Sequence, residues 1–96
     1  MYIYKVHRQQ EHALLAICDK ELLGKTLHGD VAFPVDESFY GSERCSEKEA
    51  LAYAQSATMV NAVGNKIVAA LIKKGLAEKE STISIDGVMH CQIYAL

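Results

Sequence analysis

The apolar positions of this chain recur with two periods, and the change from one to the other marks out its elements. Across residues 59–76, Val60, Val63, Ile67, Val68, Leu71 and Ile72 stand at i, i+3, i+4 and i+7 spacing, which predicts a helix with one buried stripe. Asn65, Lys66, Lys73 and Lys74 fall off that stripe and face water. Gly75 suits the left-handed position past a helix end, with Leu76 folding back on Leu71. The N-cap is Asn61, or Asn65 if 60–64 is a loop.

Period two governs the ends of the chain. Residues 2–8 alternate Tyr2, Tyr4 and Val6 against Ile3, Lys5 and His7, as a half-buried strand does. After a polar turn at 8–11, the apolar run 12–18 (HALLAIC) is a second strand, and the two form an antiparallel hairpin. Asp19 is placed to cap a short helix over 20–23 that stops at Gly24, and 25–30 is a polar turn marked by His28 and Gly29. Residues 31–35 make a short strand, at a sheet edge because Pro34 lacks an N–H. One helical turn over 36–40 and a loop over 41–44 follow.

Ser46-Glu47-Lys48-Glu49 is a capping box, with Cys45 and Ala50 as its hydrophobic staple. It opens a helix whose inner face is Ala50, Tyr53, Ala54 and Ala57, with Leu51 beside it, ending near Thr58. Beyond a charged turn at 77–80, the strand 81–85, the hairpin signal Asp86-Gly87 and the returning strand 88–95 close the chain. The order is β-β-short α-β-α-α-β-β. It predicts a single α+β domain over 1–96, two-layered, with a mixed or antiparallel sheet of about five strands and two main helices on one face.

Composition narrows the partners. A formal net charge of -2 lacks the basic excess of a general double-stranded nucleic-acid binder. Cys18, Cys45 and Cys91 are odd in number and widely spaced, which points to a reducing compartment. The N-terminus holds no apolar run long enough for a signal peptide or a membrane span, so the expectation is a cytoplasmic protein.

Four short motifs carry a resemblance: residues 19–27 (DKELLGKTL) after the strand pair, Phe39-Tyr40-Gly41, Asn61-Ala62-Val63-Gly64, and Gly87-Val88-Met89-His90-Cys91-Gln92. Together, in this order over nearly the whole chain, they resemble an archaeal family known only as domain of unknown function 424. The resemblance implies an archaeal, single-domain, cytoplasmic protein and transfers no activity. Met89 and Cys91 stand where that family more often has proline and alanine.

Candidate chemistry is sparse. His90 and Cys91 are strand neighbours and point to opposite faces, so they do not serve each other as base and nucleophile; Cys91 reads as a small buried hydrophobe. No two cysteines have zinc-ligand spacing, so no metal or other cofactor is expected. The segment Asn61 to Lys66 at a helix start would offer N–H groups to an anion, with Gly64 permitting approach; the plain alternative is a cap and a close-packing glycine. Phe39-Tyr40-Gly41 with Arg44 reads as an aromatic and basic loop that could stack on single-stranded RNA, or as two rings closing the core.

With no nucleophile-base-orienter set visible, the first reading is a non-catalytic binding or adaptor module. It would sit in a complex with a protein or ribonucleoprotein partner and be RNA- or translation-associated. Phe39, Tyr40, Arg44, Asn61, Gly64, Lys66, His90 and Gln92 are the candidate contact residues. The alternatives are a small enzyme or sensor holding a phosphate-bearing metabolite at Asn61–Lys66 with His90 nearby, and a structural homo-oligomer joined through the Pro34 edge strand.

Overall fold

The computed structural model describes residues 1–95. Its centre is a six-stranded sheet in the order β5-β1-β2-β6-β8-β7. The strands are β1 (Tyr2–Gln9), β2 (His12–Asp19), β5 (Glu43–Cys45), β6 (Met59–Val63), β7 (Thr82–Ile85) and β8 (Val88–Tyr94). All neighbours are antiparallel except β2 and β6, so the sheet is mixed. A separate ribbon pairs β3 (Thr26–His28) with β4 (Ala32–Pro34). Among the described residues the α-helices are α1 (Glu37–Tyr40), α2 (Glu47–Ser56) and α3 (Asn65–Lys73). The class is α+β, as the pattern predicts.

Register decides which side chains share a face. One face carries Tyr2, Leu15, Ile17, Val60, Ala62 and Cys91, and there α2 and α3 bring Ala50, Ala54, Ile67, Val68 and Leu71 into the main core. The capping box at Ser46 is present, with Glu49 N donating to Ser46 Oγ and Ser46 N to Glu49 Oε1. Gly75 (φ +83°) and Leu76 end α3 as expected: Leu76 N donates to Leu71 O and Gly75 N to Ile72 O, the paired bonds of a Schellman cap.

The opposite face is covered as well, which the expectation of two layers did not include. Residues Leu27, Val35 and Tyr40, from the ribbon and α1, pack on Ile3, Ala16, Cys18 and Val63 in a second, smaller core. The second half of β2, from Leu15 to Asp19, is therefore buried on both sides. That is why its sequence is a continuous apolar run rather than an alternation.

Four local expectations change. Residues 59–63 form strand β6, not the first turns of the helix. The spacing of Val60 and Val63 fits a helical stripe, but here Val60 and Val63 face opposite cores. Asn61 therefore lies mid-strand, and neither Asn61 nor Asn65 caps α3. Gly64 holds the cap position, and Asn65 instead accepts from Met89 N and donates to Gly87 O, tying the helix start to the last hairpin. Asp19 does not cap its own short 3-10 turn, Lys20–Leu22. Its carboxylate reaches across to α3. Finally, the turn read at 25–30 contains β3, and the loop read at 41–44 runs into β5, which pairs with the first half of β1.

Candidate functional site

The face under the ribbon is covered only in part. Its side chains form rows across the strands, fixed by register. The first, Ile3–Cys18–Val63–His90, is buried throughout. In the second, Lys5–Ala16–Asn61–Gln92, Ala16 is buried, Asn61 half-buried, and Lys5 and Gln92 exposed. In the third, His7–Leu14–Met59–Tyr94, the first three are half-buried and Tyr94 is 64% exposed. The fourth, Gln9–His12, is exposed. Of these rows only the first is buried from end to end.

A polar network marks the boundary. Tyr40 Oη donates to Asn61 Oδ1 (2.7 Å), and His90 Nε2 lies 3.1 Å from the same oxygen. An amide oxygen only accepts, so His90 carries its proton on Nε2. Burial pushes the His90 imidazole below its ordinary value, and the ring packs edge-on against Phe33 (5.2 Å). With Oδ1 doubly engaged, Asn61 Nδ2 has no partner among the described residues, and no buried polar side-chain atom is left unpaired. That amide nitrogen therefore faces water. Its cross-strand neighbour Gln92 is arranged alike: Tyr94 Oη donates to Gln92 Oε1 (2.7 Å), leaving Nε2 outward.

Two shallow hollows run along this open half, of about 240 and 130 Å³, meeting at Leu14 and Met59. The first is bordered by His7 and His12, the second by Asn61, Gln92 and Tyr94. Neither is lined by an aspartate or glutamate, in a chain that has 12 acidic residues. A larger groove, about 700 Å³, lies beside Tyr4–Val6 and α1, but Glu37 and Glu43 wall it, and Lys5 Nζ is turned to Ser38 O (3.3 Å).

The other candidate residues are placed as follows. Tyr40 is buried and Phe39 half-buried, its ring stacked on His7 (5.0 Å) with His7 Nε2 bonded to its carbonyl (2.7 Å). The two rings thus close the second core, while Arg44 is exposed on β5. At the α3 start, the N–H groups of Lys66 and Ile67 donate to the two Asp19 oxygens (3.0 and 2.9 Å). The donors that would hold an anion are therefore already bound to an internal carboxylate. Gly64 (φ +135°) abuts that carboxylate, and any Cβ there would run into it. Lys66 Nζ meets Glu21 at 3.5 Å on the surface. His90 and Asn61 do meet, but on the face away from α3.

Cys91 lies in the helix-side core, and burial pushes its thiol up. Among the described residues, no group of three His, Cys, Asp or Glu side chains could hold a metal ion. No helix among the described residues is long and apolar enough to cross a membrane. Leu14, Met59, His7, His12 and Tyr94 were not singled out by sequence. The available signal was the i, i+2, i+4 series His90, Gln92, Tyr94 along β8; the rest needs the strand register.

Fold and surface together define a mixed-sheet α+β protein with one half-open face. The chain belongs to the family described as "Protein of unknown function (DUF424)", which matches residues 7–96. It is similar to the crystal structure of an uncharacterized conserved protein from Methanopyrus kandleri: 26% identity, TM-score 0.77, covering 99% of this chain and 91% of that one. Among curated proteins none matches.

Proposed function

We propose that this protein is a non-catalytic binding module that takes single-stranded RNA on the open half of its sheet. The observation that carries the reading is Tyr94, an aromatic ring 64% exposed on a sheet face, beside the outward amides of Asn61 and Gln92. Unstacked bases bind such surfaces by stacking on aromatic rings and hydrogen-bonding at their edges. Leu14 and Met59 supply an apolar floor, and the lack of lining carboxylates spares a phosphate backbone local repulsion. The loop at Phe39 and Tyr40 supports this face from beneath by fixing His7 and Asn61, rather than making the contact itself.

The test is fluorescence anisotropy with a short labelled single-stranded RNA of mixed sequence. Tyr94→Ala should weaken binding about tenfold or more while leaving the thermal midpoint nearly unchanged, since the ring is exposed. Undiminished binding by this folded variant would remove the sheet face from consideration.

A further inference from the structure

The two amides at the centre of the open face both turn their oxygen toward a neighbouring side chain. Asn61 Oδ1 accepts from both Tyr40 and His90, and Gln92 Oε1 accepts from Tyr94. A free amide on a surface offers a donor and an acceptor and can turn over to suit its ligand. Here both oxygens already take a bond from a neighbouring side chain, and the two nitrogens are the polar atoms left without a protein partner among the described residues. Register sets Asn61 opposite Gln92, and both border the same hollow.

The geometry points to a base-selective subsite: Asn61 Nδ2 and Gln92 Nε2 form a donor pair that reads a nucleobase edge with two adjacent acceptors. This rests on the single-stranded RNA reading above. Cytosine offers such an edge at N3 and O2, and guanine offers one at N7 and O6. Adenine sets its exocyclic amino donor beside N1 and N7, so one of the two amides would face a donor. Uracil interposes N3–H between its two carbonyls. A base stacked against Tyr94, over Leu14 and Met59, would turn its edge toward the pair.

The selectivity depends on the network behind it. His90 Nε2 and Tyr40 Oη both bond the Asn61 oxygen, and the hydroxyl of buried Tyr40 has no competing partner among the described residues. Both remain donors to Asn61, and the amide stays turned outward. Tyr40 and His90 are positioning residues: they touch no ligand, and they decide which atom of Asn61 does.

The experiment compares labelled cytidine, adenosine and uridine tracts of equal length by anisotropy, with the intact protein and two variants. The natural protein is expected to bind the cytidine tract about tenfold more tightly than the adenosine tract. Asn61→Asp keeps an oxygen for Tyr40 and His90 but replaces the outward donor with an acceptor. Gln92→Glu does the same at an exposed position, where the fold does not depend on the change. Each should bring the cytidine-to-adenosine ratio close to one. The added charge lowers affinity for every tract alike, so the ratio, not the affinity, is the readout. If Asn61→Asp fails to fold, Gln92→Glu carries the test alone.

Equal affinity for all tracts, or a preference that Gln92→Glu leaves untouched, overturns the donor pair. If Tyr94→Ala still weakens those equal affinities, the RNA reading stands and only the base selectivity falls. No binding of any tract overturns both.

Discussion

Asn61 joins the second core to the open face. Its oxygen satisfies Tyr40 and His90, two groups that burial would otherwise leave without a partner. Its nitrogen faces water. The arrangement also sets a pH response. Burial holds the His90 imidazole below 6.5, so the unfolded chain takes up that proton first as the medium is acidified. The stability held by neutral His90 is complete above 6.5 and is lost as pH falls below it. His90→Gln should therefore show a smaller drop in urea midpoint than the natural protein when measured at pH 7 and again below 6.5. An equal drop in both would mean that His90 is not a source of the dependence. None of this was legible at residue 61 itself. An asparagine two residues before Val63 and three before Gly64 looks like a helix cap until the strand pairing is known.

Among the elements, those with their own local grammar were readable and those set by distant partners were not. The Ser46 box, the Gly75 cap and the Asp86-Gly87 hairpin each lie within a few residues of the atoms they bind. Strand β6 has no such signature. Its five residues are too few to establish a period, with Val60 and Ala62 buried and Met59 and Asn61 half-buried, and it runs straight into an amphipathic helix whose stripe it extends by coincidence. The cap of α3 was equally hidden, because it comes from Asp19, 47 residues from Lys66. Burial pushes the Asp19 carboxyl up, against the two N–H bonds and the Lys66 charge that pull it down. Asp19→Ala should cost about 2 kcal/mol, since it strips two donors of a buried helix end at once. Urea denaturation measures this, and a loss no larger than that of an exposed surface substitution would remove Asp19 as the cap. Gly64→Ala is expected to cost at least as much, because a Cβ there displaces the same carboxylate.

At the scale of the molecule, the α+β class followed from terminal strands and two internal helices, and it stands. What sequence did not give was the third layer. Residues 20–41 leave the sheet after β2, lay the ribbon and α1 over one face, and return only through β5 and α2 to β6. That excursion covers the first row of the face, touches the second at Asn61 through Tyr40 and the third at His7 through Phe39, and leaves the Leu14, Met59 and Tyr94 side of the face open. The open half is thus a consequence of chain length between two strands that must lie side by side, and no local pattern encodes it.

The carboxylate that closes β2 also fastens the first turn of α3, and this has a bearing on how the molecule opens. A helix held by its own cap can fray while the rest stays folded. In α3 the amide protons of Lys66 and Ile67 are gripped by a residue of a central strand, so they are released only when that strand comes away. In deuterium exchange these two amides should be as slow as the innermost amides of β2, while Glu49, held by the neighbouring Ser46, should exchange sooner. Rapid exchange at Lys66 and Ile67 would show that the helix start opens independently. Slow exchange would mean that the sheet and its principal helix unfold as one cooperative unit.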